Sequence, residues 1–249
     1  VREQYTHWLP APADLILCSH AVHVWWADLN VSSQQLQQFA RTLAPDEQQR
    51  AARFYFERDR NHFTAGRGIL RSLLARYLHL PPEQLQFSYA SRGKPALATL
   101  GTEKLQFNLS HSHGMALYAI ALDQAVGIDL EYMRPTDVKH LAKRFFSARE
   151  YAIIRALPSE QQQAAFFNGW TRKEAYLKAT GDGLIGLEQV EVSLAPTEPA
   201  QLLTIASDPV AASRWLLQSI HLTPDYAAAL AVEDLNVAIA YWQWVMGDG

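Results

Sequence analysis

The sequence predicts an α+β fold in the form of a pseudo-two-fold monomer: two similar α+β lobes with the active site in the cleft between them. Three observations lead there. The chain has 249 residues, 49 % of them apolar, which allows a sizeable core and two lobes of about 120 residues. Short β-rich runs alternate with longer helical stretches. Segments also recur at a nearly constant spacing. Val22-His-Val-Trp-Trp-Ala-Asp lies over Val126-Gly-Ile-Asp-Leu-Glu-Tyr at an offset of 104. Pro45-Asp-Glu47 lies over Ala148-Arg-Glu150, and Phe63-Thr-Ala-Gly66 over Phe166-Phe-Asn-Gly169, at 103; Leu85-Gln-Phe-Ser-Tyr89 lies over Val190-Glu-Val-Ser-Leu194 at 105. Each match is weak alone, but four in near-register are not. The lobes divide near Gln124, as 1–124 and 125–249, and ligand sites favour such interface clefts.

In chain order, Pro10 and Pro12 mark an extended N-terminus. Ala21 to Leu29 is β-rich and reads as a strand. A short helix covers Ser33–Thr42; Ala44-Pro45-Asp46-Glu47 is a helix start, with Arg-studded helical segments running to about Leu78. Pro81-Pro82 stops them, Leu85–Tyr89 alternates as a strand, and Arg92-Gly93-Lys94-Pro95 is a turn. Met115–Leu122 is an eight-residue apolar run suited to a buried strand; Asp123 and Gln124 turn the chain into a second strand, Val126–Glu131. Phe166–Thr180 has a helical pattern, and Asp225–Val232 resembles Gly114–Ala121.

Strand alternation puts Asp129 and Glu131 on one face and Ile128 and Leu130 on the other. Carboxylates held that close raise each other's pKa and call for a cation, such as a hard divalent ion bound by oxygens. In the 166–180 helix, Trp170, Glu174 and Lys178 share a face, with Lys173 beside it. The repeat shows what is particular to one lobe: Trp25 and Ala27 stand where Asp129 and Glu131 stand, and Leu70 and Arg71 where Lys173 and Glu174 stand. A purely structural role would recur in both lobes, so the charged set points to function.

Composition excludes several classes. Residues 1–124 carry 12 basic against 10 acidic side chains and residues 125–249 carry 10 against 15, unlike the uniform basic character of a nucleic-acid binder. The single cysteine, Cys18, rules out an internal disulfide and a cysteine zinc site. No apolar run approaches the length of a membrane span and no signal-peptide pattern opens the chain, so a soluble cytoplasmic protein is expected. Gly181-Asp-Gly-Leu-Ile-Gly186 has the letters of a dinucleotide fingerprint but follows a helix and precedes a strand; Gly181 reads instead as a helix C-cap. His111-Ser-His113 lacks the third neutral ligand that zinc would need.

Three motifs stand in order: Phe107-Asn-Leu-Ser-His-Ser, Gly127-Ile-Asp-Leu-Glu131, and Trp170-x-x-Lys-Glu-Ala-x-x-Lys178. With Arg92-Gly-Lys-Pro95 and Arg144-Phe-Phe-Ser-x-x-Glu150, over about Pro45 to Leu194, the set resembles the 4′-phosphopantetheinyl transferases of the surfactin-synthetase type. The resemblance implies a monomeric enzyme that moves the phosphopantetheine arm of coenzyme A to a serine of an apo acyl or peptidyl carrier protein, releasing 3′,5′-ADP, with Mg²⁺, or Mn²⁺ in its place. It implies Asp129, Glu131 and Glu174 as metal ligands, Glu174 as the base, directly or through water, and Lys178 beside the pyrophosphate. It implies coenzyme A contacts from Arg50, Arg53, Arg92, Gly93, Lys94, Pro95, Asn108, Ser110, His111, Lys173 and Lys178. Neither nucleic acid nor membrane is an implied partner. One position departs: Glu47 stands where some members carry a basic residue, and Arg53 is the nearby compensating cation. The competing readings are a coenzyme A or nucleotide binder without catalysis and a metal-dependent phosphohydrolase.

Overall fold

A computed structural model describes residues 5–90, 92–98, 101–102, 104–206, 208 and 210–246, with the side chains of 184 and 185 left undescribed. The elements run β1 (Leu9–Pro10), β2 (Ala21–Asp28), α1 (Ser33–Thr42), α2 (Pro45–Ala52), α3 (Glu57–Leu78), β3 (Phe87–Tyr89), β4 (Pro95–Leu97), β5 (Leu105–Ser112) and β6 (Met115–Leu122). They continue with β7 (Val126–Tyr132), α4 (Val138–Phe145), α5 (Ala148–Ala156), α6 (Ser159–Thr180), β8 (Val190–Val192), β9 (Leu202–Ile205), β10 (Leu216–Ser219), β11 (Tyr226–Val232) and β12 (Ala238–Gln243). Among the described residues no helix is long and apolar enough to cross a membrane.

The internal repeat is a repeat of structure. One sheet contains β2-β6-β5 and the other β7-β11-β10, each an antiparallel trio in the same chain-order pattern. Each lobe also has a 22-residue helix, α3 or α6. The short helix before it carries a buried glutamate at its third position. Glu47 in α2 accepts from the N–H of Ala44, and Glu150 in α5 accepts from that of Ser147. Both acids then hold cations of the long helix: Glu47 pairs with Arg67 and Arg71, and Glu150 with Lys173.

Strand alternation distributes the core. Trp25 and Ala27 pack with α3 residues such as Ile69 and Leu73, while Ala227, Ala229 and Ala231 join Phe166, Ala175 and Leu177 of α6. The opposite faces, Val22, Val24, Leu117 and Ala119 from one sheet and Val126, Ile128, Leu130 and Leu230 from the other, meet in a third cluster between the lobes. Ile128 and Leu130 thus point into a core, as their alternation requires. Gly127 brings β7 against α6: a Cβ there would stand 2.0 Å from the Ala175 carbonyl oxygen.

Several boundaries differ from expectation. The helical stretch from Pro45 to Leu78 is two helices, with Arg53 as the cap of α2. Of the expected strand Leu85–Tyr89, β3 covers Phe87–Tyr89 and the Gln86 carbonyl accepts from the Ala98 N–H at 2.8 Å, while the Leu85 N–H closes the Pro82–Gln84 3₁₀ turn. Likewise β8 covers Val190–Val192 of Val190–Leu194, with the Ser193 N–H still donating to the Gln201 carbonyl at 3.0 Å. The helix around Glu174 begins at Ser159, earlier than its apolar pattern shows. The division into 1–124 and 125–249 needs one correction: β12 pairs in parallel with β2, so the C-terminal strand lies in the first lobe's sheet.

Candidate active site

Residues of both lobes line a cleft of about 580 Å³. The first lobe contributes Arg50 of α2 and Phe63, Gly66 and Arg67 of α3, with Gly93 and Pro95 at the β3–β4 turn and Leu109, Ser110 and His111 from β5. The second contributes Asp129 and Glu131 from β7 and Trp170, Glu174 and Lys178 from α6. Two-residue spacing on β7 and four-residue spacing on α6 aim these side chains at one another.

The acidic residues are held against their preference. Asp129, 3 % exposed, accepts from Lys178 Nζ at 2.6 Å and from Ser110 Oγ at 2.9 Å, both on Oδ1. Among the described residues its buried Oδ2 has no hydrogen-bond partner, and neither has the buried Oε1 of Glu174. Burial, and then the charges of Asp129 and Glu131, push the Glu174 carboxyl up to about 7, against the pull of Lys178. Glu131 is raised by burial and by Asp129, partly offset by the hydroxyl of Ser112. Buried carboxylate oxygens without donors beside a raised pKa are what a cation would relieve. Among the described residues no three histidine, cysteine or acidic side chains already converge as a metal cage. Mg²⁺ does not require one: it binds through one or two carboxylates, water and substrate phosphate oxygens.

The positive residues fall into two groups. Lys178 Nζ holds Asp129 and Ser110, and an ammonium has a third proton to offer. Arg50 lies over the Phe63 ring at 5.3 Å and lines both the cleft and the adjoining 530 Å³ groove, where Arg53 also sits. His111 is lowered by burial and then by the charges of Lys178, His62 and Arg50, which favours the neutral ring. Arg92 donates to the Asp182 carbonyl and pairs with its carboxylate at 3.7 Å, while Lys94 Nζ donates to the Ala179 carbonyl at 2.7 Å. The Arg92–Pro95 turn of one lobe thus clasps the C-terminal end of α6 in the other, where helix carbonyls favour cations.

Two expected contacts are corrected. Lys173 is fully buried, bound to Glu150 at 2.5 Å and to the Leu187 carbonyl at 2.8 Å, and lies outside the cleft. In the first lobe Arg71, one residue past the position aligned with Lys173, makes the matching pair with Glu47, so Lys173 fills a structural pairing. Asn108 is buried too, and its Oδ1 accepts from the Ile128 N–H at 2.9 Å. Glu47, the position that departs from the family pattern, is buried between two arginines that already match its charge. Sequence reasoning missed Arg67 and His62 at the cleft, since a long Arg-rich helix does not show which turn faces inward. It also missed Ser112, although the alternation of Asn108, Ser110 and Ser112 would have put all three on one face of β5.

Comparisons with known proteins agree along nearly the whole chain. The family described as the 4′-phosphopantetheinyl transferase superfamily matches residues 125–231, and the one described as 4′-phosphopantetheinyl transferase, N-terminal, matches residues 26–122. The 4′-phosphopantetheinyl transferase HetI of Nostoc sp. is 51 % identical over 241 residues, 95 % of this chain and 98 % of that protein. A putative 4′-phosphopantetheinyl transferase of Synechocystis sp. is 36 % identical over 185 residues, 74 % of each chain. The 4′-phosphopantetheinyl transferase Sfp of Bacillus subtilis is 31 % identical over 159 residues, 64 % of this chain and 69 % of Sfp.

Proposed function

We propose, for a chain that belongs to the 4′-phosphopantetheinyl transferase superfamily and is itself a 4′-phosphopantetheinyl transferase, that the cleft between its lobes holds coenzyme A and that the carboxylates facing Lys178 carry the reaction. One observation carries this reading. Asp129, Glu131 and Glu174 face a lysine in a cleft shared by both lobes, and two of their buried oxygens lack donors among the described residues.

The substrates are coenzyme A and an apo acyl or peptidyl carrier protein. The carrier serine oxygen bonds to the β-phosphorus, the bond from that phosphorus to the 3′,5′-ADP oxygen breaks, and the serine proton leaves. Glu174 is placed to take that proton, directly or through water, and a carboxylate titrating near 7 suits a base at neutral pH. Asp129, Glu131 and Glu174 would hold Mg²⁺, or Mn²⁺, which when bound stabilises negative charge on the pyrophosphate. Lys178 offers its free proton to the pyrophosphate and favours departure of 3′,5′-ADP. Ser110, His111 and Arg50 take phosphate oxygens, with Arg53 in the adjoining groove. Gly93 and Pro95 form part of the wall, while Arg92 and Lys94 hold that wall to α6 and exchange a carbonyl for a phosphate oxygen when the ligand is present. Because one chain supplies both sides of the cleft, the working form is a monomer.

Incubation with coenzyme A, Mg²⁺ and an apo carrier protein tests the reading. The expected result is a mass gain of one phosphopantetheine on the carrier serine, lost on omission of the metal and in Asp129→Ala. Transfer at the wild-type rate by Asp129→Ala at limiting Mg²⁺ would overturn the assignment. A panel of apo carriers from fatty-acid, polyketide and peptide synthesis then identifies the preferred one.

A further inference from the structure

β5 and β7 run side by side where the lobes meet, but they belong to separate sheets. Side chains take the place of a backbone ladder. Asn108 Oδ1 accepts from the Ile128 N–H at 2.9 Å, Ser110 Oγ donates to Asp129 at 2.9 Å, and Ser112 Oγ accepts from the Tyr132 N–H at 3.0 Å. The three residues alternate along β5, so one face of a first-lobe strand supplies these three contacts to a second-lobe strand.

Ser112 does two things there. A hydroxyl has one proton to give. With the Tyr132 N–H already pointing at its oxygen, that proton goes to Glu131 Oε2, at 3.3 Å. Glu131 itself lines the cleft. Its carboxylate is therefore held by a group fixed to the backbone beside it, and the holding group comes from the other lobe. Around it, His113 stacks on Tyr132 at 4.2 Å, and Tyr226 donates its hydroxyl to the His113 carbonyl at 3.0 Å. The β5–β6 turn that carries Ser112 is thereby anchored to β7 and β11.

We infer that Ser112 is a positioning residue: it orients Glu131 toward the metal and makes the geometry of that ligand depend on closure of the seam between the lobes. The inference rests on the metal reading proposed above. Groups that hydrogen-bond a metal ligand typically set metal affinity by about 10–100-fold. The hydroxyl that holds Glu131 comes from the first lobe and is itself fixed by the Tyr132 N–H, so a single change in the first lobe reaches a ligand in the second.

The test is Mn²⁺ binding by the full-length protein with coenzyme A present, with free Mn²⁺ read by electron paramagnetic resonance. Ser112→Ala should weaken Mn²⁺ by about tenfold, and Ser112→Thr, which keeps the hydroxyl, should restore it. In a Glu131→Ala background Ser112→Ala should add nothing, because the carboxylate that Ser112 orients is then gone. A general loosening of the lobes would instead add in full. Should Ser112→Ala not fold, the isosteric pair Ser112→Thr and Ser112→Val asks the same question through the hydroxyl alone. Wild-type Mn²⁺ affinity in Ser112→Ala, or an undiminished loss in the Glu131→Ala background, overturns the role of Ser112. Absence of Mn²⁺ binding by the wild-type protein would instead remove the metal reading itself.

Discussion

Glu174 is ionised at the expense of the fold. Its native carboxyl titrates near 7, against an ordinary 4.5, because it is buried beside Asp129 and Glu131. Between those two values the native state keeps a proton that the unfolded state releases, so this residue adds stability as pH falls from 7 toward 4.5 and removes it as pH rises. Glu174→Gln should therefore melt a few degrees higher than wild type at pH 8, with the difference vanishing near pH 4.5. The same variant should lose kcat by about 10²-fold or more. Thermal melts across pH beside steady-state kinetics check both signs, and a variant that is less stable yet fully active would refute the role. In the wild type, kcat/KM for coenzyme A should fall in acid as Glu174 takes up its proton, with saturating Mg²⁺ moving that fall below the metal-free value of about 7. Lys178 acts on charge that grows at the leaving group. Lys178→Ala should thus cut kcat more than it raises KM for coenzyme A, in contrast to the effect of under ~1 kcal/mol that loss of a surface ion pair gives.

At the scale of elements, α6 divides its charges between two jobs. Glu174 and Lys178 face the cleft, while Lys173 is turned into the second-lobe core against Glu150. Lys173→Ala would leave the Glu150 carboxylate buried and unpaired, and should cost about 3–5 kcal/mol of stability. Denaturant unfolding measures this, and replacing Glu150 as well should recover much of the loss. The position of α6 depends on Gly127. A methyl at that residue would stand 2.0 Å from the Ala175 carbonyl oxygen and 2.5 Å from the Ala179 nitrogen. Gly127→Ala should push the helix outward, destabilise by about 1–3 kcal/mol or more, and reduce transfer by displacing Glu174 and Lys178. A variant with unchanged stability and rate would show that β7 and α6 can separate without consequence.

The whole molecule is two copies of one plan, tied together by exchange. Their sheets share an apolar layer, the Arg92–Pro95 turn reaches from the first lobe to the end of α6, and β12 returns from the second lobe to the first lobe's sheet. Trp242, Trp244 and Met246 pack on the first core after that return. Ending the chain after Asp234 should unfold the first lobe along with the strand, since it uncovers the β2 edge and those contacts. The expected readout is a loss of cooperative melting or a fall in Tm of more than about 10 °C, together with loss of coenzyme A binding. Retention of both would make β12 an accessory strand.

The linear chain determined what depends on local chemistry. The offset of about 103 survives as matching sheets, helices and buried glutamates, because a repeated hydrophobic pattern folds to a repeated packing unit. Two-residue spacing was enough to turn Asp129 and Glu131 away from Ile128 and Leu130, and four-residue spacing to put Trp170, Glu174 and Lys178 on one wall. Residues such as Lys173 and Asn108 stand in the same motifs, and the motif letters do not distinguish a side chain facing the cleft from one satisfying a buried partner. Only the tertiary structure decided that, because the partners Glu150 and the Ile128 N–H lie 23 and 20 residues away. It also decided that β12 belongs to the first lobe and that Ser112 reaches Glu131. A strand's pairing and a hydroxyl's single proton are assigned by what lies across the gap, and nothing in the local sequence specifies that neighbour.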